Sequence, residues 1–203
     1  MTTFLIRFGA LSGVVLGLSI GVPGAVEAFT GEITATSVVL GFGTAFGVPA
    51  VFAYALAGTR GSAFDRVAFV WCVLGTALFA GVAYTLNLAL VFLDLAHRRE
   101  LLEGTTGIAV KVSGFAFIGG AVLFGIALYR DGRLGRLPAL GFTLLLPAFA
   151  FLAPQEDTLA INALHVLVCV VFCRLSFNAW RTMSTGEPTT TAVPDTVAYA
   201  ART

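Results

Sequence analysis

Charge is what this 203-residue sequence has least of: Asp, Glu, Lys and Arg together make up 11% of it, less than half the roughly 25% of an ordinary soluble domain. So few charges cannot hydrate a globular surface, and neither Asp nor Glu interrupts the long apolar runs, which excludes a soluble chain. The two signs nearly balance, 12 basic residues against 11 acidic, so the basic excess by which a protein holds nucleic acid is missing. Lysine is almost absent: Lys111 stands alone and every other basic residue is Arg, a bias of coding rather than of chemistry. Three cysteines with no CxxC pair exclude a disulfide framework and a structural zinc site. HExxH, GxSxG and P-loop patterns are missing too, as is a pair of carboxylates within an apolar run. Asp94 and His165, without a placed nucleophile, make no triad. The expectation is a chain without catalysis, cofactor or metal.

What the sequence has in quantity is hydrophobic side chains, 58% of residues, with a mean hydropathy of +0.93. A spanning helix needs about 20 mainly apolar residues, and six runs qualify: Phe4 to Val22, Ser37 to Ala57, Val67 to Leu93, Gly107 to Tyr129, Leu137 to Ala153 and Thr158 to Trp180. An open strand leaves backbone groups unpaired in lipid, and no run alternates like a barrel strand. The expected fold is all-α, a polytopic bundle of six transmembrane helices filling residues 1–181. Residues 182–203, rich in Thr and poor in large apolar side chains, read as a disordered tail.

Orientation follows from Lys and Arg in the short loops. One side collects Arg7, Arg60, Arg66, Arg130, Arg133, Arg136 and Arg181; the other has Arg98 and Arg99, with Lys111 just inside the next helix. Both termini are therefore expected in the cytoplasm. The outer loops carry Glu27, Glu32, Asp94, Glu100, Glu103, Glu156 and Asp157, and the loop from Asp94 to Thr106 is short enough for a surface helix or turn. Arg7, the first apolar run and Val26-Glu27-Ala28 also resemble a cleavable secretory signal. Against that stands a stripe of small residues, Gly9, Gly13, Gly17 and Gly21, which marks a helix contact face. Packing inside one bundle is favoured over a homo-oligomer seam through this first helix.

Two polar stripes are expected to face the bundle centre, because polar groups in lipid turn toward protein or water. On the sixth helix Thr158, Asn162, His165, Cys169, Cys173, Ser176 and Trp180 share an arc of roughly 80°. On the third, Cys72, Thr76, Ala80, Ala83, Asn87 and Asp94 do likewise. If the two stripes meet, Asn87, Asp94, Lys111, Asn162 and His165 form an outer polar pocket with Asp94 paired to Lys111; the plainer reading is that Asp94 and Lys111 snorkel to the surface. His165, Cys169 and Cys173 are the residues that a metal or haem would need, and buried Cys more often acts as a small hydrophobe. Pro49 and Pro147 are expected to break the second and fifth helices, a pattern that occurs in inverted-repeat carriers.

The turn Leu128-Tyr129-Arg130-Asp131-Gly132-Arg133-Leu134, followed by Pro138 and Leu140-Gly141, resembles that of uncharacterised six-helix bacterial membrane proteins. The resemblance covers about a fifth of the chain and transfers no site. It implies the same six-helix architecture and a bacterial plasma membrane. Three roles follow as expectations: a structural or regulatory protein working through helix contacts with the lipid bilayer as its solvent, a carrier of an unknown small solute between the third and sixth helices, and a metal or haem redox protein.

Overall fold

The computed structural model describes residues 1–31, 33–152 and 158–184, and these are helical almost throughout, with no strand among them. The expected disordered tail falls mainly on 185–203, and Glu32, Glu156 and Asp157 of the outer loops also lie outside the described residues. Among the described residues there are eight α-helices: α1 (Thr2–Thr30), α2 (Thr34–Gly43), α3 (Gly47–Gly58), α4 (Ala63–Leu88), α5 (Leu95–Glu103), α6 (Thr105–Asp131), α7 (Arg136–Leu152) and α8 (Leu159–Ser184). A single 3-10 turn, Thr44–Phe46, joins α2 to α3. With α2 and α3 taken as one broken helix, five are long and apolar enough to cross a membrane, and α7 is a shorter apolar sixth. Its 17 residues span roughly 26 Å at 1.5 Å per residue, slightly less than the roughly 30 Å hydrocarbon core.

The helices close into a ring in the order α1, α8, α7, α6, α4 and the α2/α3 pair, which returns to α1. Each leaves a row of large apolar side chains on the outside, among them Leu11, Leu74, Phe115, Leu144 and Val170. In water that would be an aggregating surface; against acyl chains it is neutral.

Local chemistry explains where the helix ends differ from the apolar runs. α4 starts four residues before Val67 because Ser62 and Asp65 form a capping box, Asp65 N donating to Ser62 Oγ at 3.2 Å and Ser62 N to Asp65 Oδ2 at 2.9 Å, so the charged residues lie inside the first turn. It stops at Leu88 rather than Leu93, and a 3-10 turn over Leu90–Phe92 leads to Asp94, which begins α5. α6 ends where Gly132 takes the left-handed conformation, φ 71°.

Pro23, Pro49 and Pro147 behave differently. Pro49 has no N–H and crowds the carbonyl four residues back, at Ala45, where the α2/α3 helix tightens into its 3-10 turn. Pro147 sits inside an α7 that stays helical through Leu152, so the break expected there is absent. α1 likewise continues through Pro23 to Thr30, well past Val22 and past the Val26-Glu27-Ala28 of the signal-like pattern. The reason is tertiary: Gly21 and Gly24 lie against Cys169 and His165 of α8, and this packing holds the chain helical through the missing bond.

Backbone approach sets the pairing. A Cβ on Gly17 or Gly21 would meet Cys169, one on Gly13 would collide with Tyr54 and Ser176, and one on Gly9 with Pro49 and Ala53. The glycine stripe is therefore covered by α3 and α8 of its own chain. The α4–α6 contact is equally close: a Cβ on Gly120 would lie 2.7 Å from Cys72 Cα, and one on Gly75 would press on Ala116 and Phe117. Trp71 Nε1 adds a hydrogen bond to Ala116 O at 3.1 Å across the seam. Gly120→Leu is expected to cost on the order of 3 kcal/mol or more, because its side chain would run into the α4 backbone at Trp71 and Cys72. Gly114→Ala, with nothing within 4 Å of the added carbon, should leave stability unchanged or slightly raised. Unfolding of the detergent-solubilised protein by SDS measures both, and equal behaviour of the two variants would contradict the close seam.

Candidate functional site

The polar side chains of α8 pack mainly against α1 and α3. Ser176 is 1% exposed and its Oγ lies 2.8 Å from Tyr54 Oη, which also donates to Phe172 O at 3.2 Å. Tyr54 is fully buried, and only the missing side chain of Gly13 leaves space for this bond. Toward the N-terminal end of α8, Cys169 and Cys173, their Sγ atoms 4.0 Å apart, sit half-buried, and Cys169 lies under Gly21. His165 is buried under Gly24, its Nδ1 2.8 Å from Ile161 O. Nδ1 is therefore the protonated nitrogen, and the ring meets the Phe149 ring edge-on at 5.1 Å.

The centre of the ring is met instead by Val168 and Phe172 of α8. It holds a small cavity, about 40 Å³, with volume for little more than a water. Each side of the ring contributes to its wall: Leu16 from α1, Val51 from α3, Phe79 from α4, Phe117 from α6, Phe142 from α7 and Phe172 from α8. The aromatic rings lock together, Phe79 stacked on Phe117 at 4.4 Å and Phe142 edge-on to both Phe124 and Phe172 at 6.0 Å. Thr44 and Thr76 are the two hydroxyl side chains on this wall. Thr44 donates to Gly41 O at 2.7 Å, and Thr76 Oγ1 lies 3.9 Å from Cys72 Sγ.

The five candidate pocket residues are not brought together. Asn162 and His165 share one buried face of α8. Asn87 is half-buried where α4 meets Gly41 of α2, and it donates to Ala83 O of its own helix at 2.8 Å. Lys111 is exposed on α6. Asp94 is not on α4 at all: it caps α5, accepting from Ala96 N and His97 N at 3.1 and 3.0 Å, and its Oδ2 lies 2.7 Å from His97 Nδ1. That geometry replaces the expected pairing with Lys111. The two stripes do not face each other, because α4 packs on α6, α2 and α3 while α8 packs on α1, α7 and α3. Among the described residues no three His, Cys, Asp or Glu side chains cluster as metal ligands would.

The phenylalanines were the residues that hydropathy and polar stripes left unread. Phe117 and Phe124, like Phe142 and Phe149, are seven apart and so recur on one helix face, a spacing that marks the central wall in advance. Tyr54 and Ser176 carry no such sign, because a bond 122 residues apart in sequence has no local pattern. Compared with protein-family models, with curated proteins and with solved structures, the chain matches none.

Asp94 also yields a pH dependence. The His97 backbone N–H, then the His97 ring, holds its carboxyl below the ordinary value of 3.8. Its cap therefore stabilises α5 fully above the ordinary carboxyl range and is lost as pH falls through the lowered value. Amide protection in α5, corrected for the slower intrinsic exchange in acid, is expected to hold at neutral pH and to fall once pH drops below the ordinary carboxyl range. Asp94→Asn, an equally good cap without a proton to gain, should remove this acid step; an unchanged step in that variant would overturn the assignment to Asp94.

Proposed function

We propose that the chain is a six-span integral protein of a bacterial or archaeal plasma membrane, both termini cytoplasmic, that serves as a structural or regulatory component through helix contacts. The observation that carries this reading is the composition of the centre: phenylalanine rings line it around a small cavity, while Tyr54, Ser176 and His165 are hydrogen-bonded to one another or to helix carbonyls. Such an interior offers a solute neither water nor a ladder of donors, and an enzyme neither a base nor a nucleophile aimed at open space. Orientation is supported by the arginine-rich end, where Arg7 and Arg181 lie over Trp180 and Phe177 at 5.5 and 5.4 Å, as interfacial anchors do.

A carrier is the second reading, favoured by the 3-10 break between α2 and α3, with Thr44 of the break on the cavity wall. A metal or haem role would rest on His165, Cys169 and Cys173. Single cysteines at Thr76 and Val168, in a background with Cys72, Cys169 and Cys173 changed to Ala, separate the first two. A membrane-impermeant thiol reagent added outside should modify Glu100→Cys on exposed α5 and leave both central positions untouched. Modification of Thr76→Cys and Val168→Cys would overturn the contact reading in favour of a wetted central pathway.

A further inference from the structure

The basic end of the bundle is organised around one turn. Gly132 and Gly135 both take positive φ, 71° and 86°, so the chain reverses between α6 and α7 within a few residues. Leu134 between them is fully buried, in the space left by Gly58 of α3. Its carbonyl accepts from Asn178 Nδ2 of α8 at 2.7 Å. The turn is thus fastened to two other helices and presents a fixed set of side chains.

What it presents is Arg130, Arg133 and Arg136, all exposed. Arg130 lies over the Phe64 ring at 5.3 Å and Arg136 over the Tyr129 ring at 6.0 Å. The acidic groups at this end are already engaged. Asp131, its side chain 5% exposed, has Arg60 Nε at 2.9 Å and Arg133 Nε at 3.7 Å from Oδ1, and Asp65 is closed into its capping box with Ser62. Arg60 and Arg133 share the Asp131 carboxylate, while Arg130 and Arg136, on or beside the same turn, lie over aromatic rings instead. The other end carries no such excess, since Arg98, Arg99 and Lys111 there face Glu27, Asp94, Glu100 and Glu103. A guanidinium laid on an aromatic ring keeps its N–H fork open, and that fork matches two oxygens of a phosphate.

On the reading that this end lies at headgroup level in a membrane, we infer that the Gly132 turn is a binding site for the phosphodiester of an anionic phospholipid, held by Arg130, Arg133 and Arg136. Basic clusters beside the cytoplasmic ends of spanning helices bind headgroups in this manner. A zwitterionic headgroup brings its own cation and leaves the excess of positive charge in place.

The test uses the full chain in lipid nanodiscs made of phosphatidylcholine alone or with phosphatidylglycerol, and counts retained lipids by native mass spectrometry. Phosphatidylglycerol is expected to be retained and phosphatidylcholine not. Arg130→Gln with Arg136→Gln should lower that retention at least fivefold, while Arg99→Gln at the other end leaves it unchanged. Arg130→Lys with Arg136→Lys keeps the charge without the fork and should retain an intermediate amount; SDS unfolding checks that each variant is folded. Equal retention of the two lipids, or undiminished phosphatidylglycerol in the folded glutamine variant, overturns the site. Inorganic phosphate added to phosphatidylcholine discs should not stabilise the protein; stabilisation equal to that from phosphatidylglycerol would overturn the assignment to lipid. Release of the chain from native membranes by alkaline carbonate would overturn the membrane reading as well, whereas a chain that stays in the membrane but does not discriminate between lipids refutes the headgroup site alone.

Discussion

Two helix backbones approach each other in lipid only where side chains are missing, and this bundle rests on two such approaches. Acyl chains are as apolar as leucine, so burial against another helix gains little by itself, and association depends on dispersion contacts at short range. On the α1–α8 side the approach runs from Gly13 through Gly17 and Gly21 to Gly24; on the α4–α6 side Gly75 and Gly120 enter each other's helix backbones. The remaining features follow from these two seams. The Tyr54–Ser176 bond exists because Gly13 leaves it room. α1 passes Pro23 without breaking because α8 lies against both sides of it.

With the seams placed, the polar groups have limited choices. A hydroxyl in lipid bonds its own helix when nothing better is near, as Ser12 does to Phe8 O, Ser19 to Leu16 O and Thr143 to Ala139 O. His165 does the same with Ile161 O. Tyr54 reaches farther, to α8, and Asn178 reaches the α6–α7 turn. These two long-range bonds sit toward the arginine-rich half of the bundle. The outer half holds Asn162, whose Oδ1 is buried without a partner. Polar cross-linking is therefore uneven along the bundle axis, stronger at the end where the turn of Gly132 must be held.

The coarse plan was legible in the sequence, since runs of 20 apolar residues have few alternatives. The ends were not, because capping decides them: Asp65 stops an apolar run yet starts α4, and Asp94 looks like the last residue of a stripe yet opens α5. A helical wheel gives the angle between residues on one helix but not which neighbour each face meets. Hence the α8 stripe was correctly grouped as one face and assigned to the centre, when glycines on α1 draw that face to themselves. Absence of side chains at a period of four has a steric consequence wherever the partner lies, but the sequence does not say that α3 meets Gly9 while α8 meets Gly17 and Gly21. The phenylalanine centre went unread because hydropathy treats a ring facing lipid and a ring facing other rings alike.

The two ends of the bundle handle charge in different ways, and the difference bears on the near-exclusive use of arginine. At the α5 end Asp94 and His97 form a local pair in solvent, and charge serves only to cap a short helix. At the opposite end four arginines, Arg7, Arg130, Arg136 and Arg181, lie over aromatic rings. A lysine ammonium there would keep the positive charge, but it is a compact, strongly hydrated ion without a flat face to lay on a ring. Coding bias alone could supply arginine anywhere in the chain. It does not supply the rings beneath, Trp180, Phe64, Tyr129 and Phe177, which come from three helices. The stacking fixes each guanidinium at the height of its ring, so the positive belt has a definite level along the bundle axis. That belt, at one end of an otherwise apolar bundle, makes the two ends of the molecule chemically unlike.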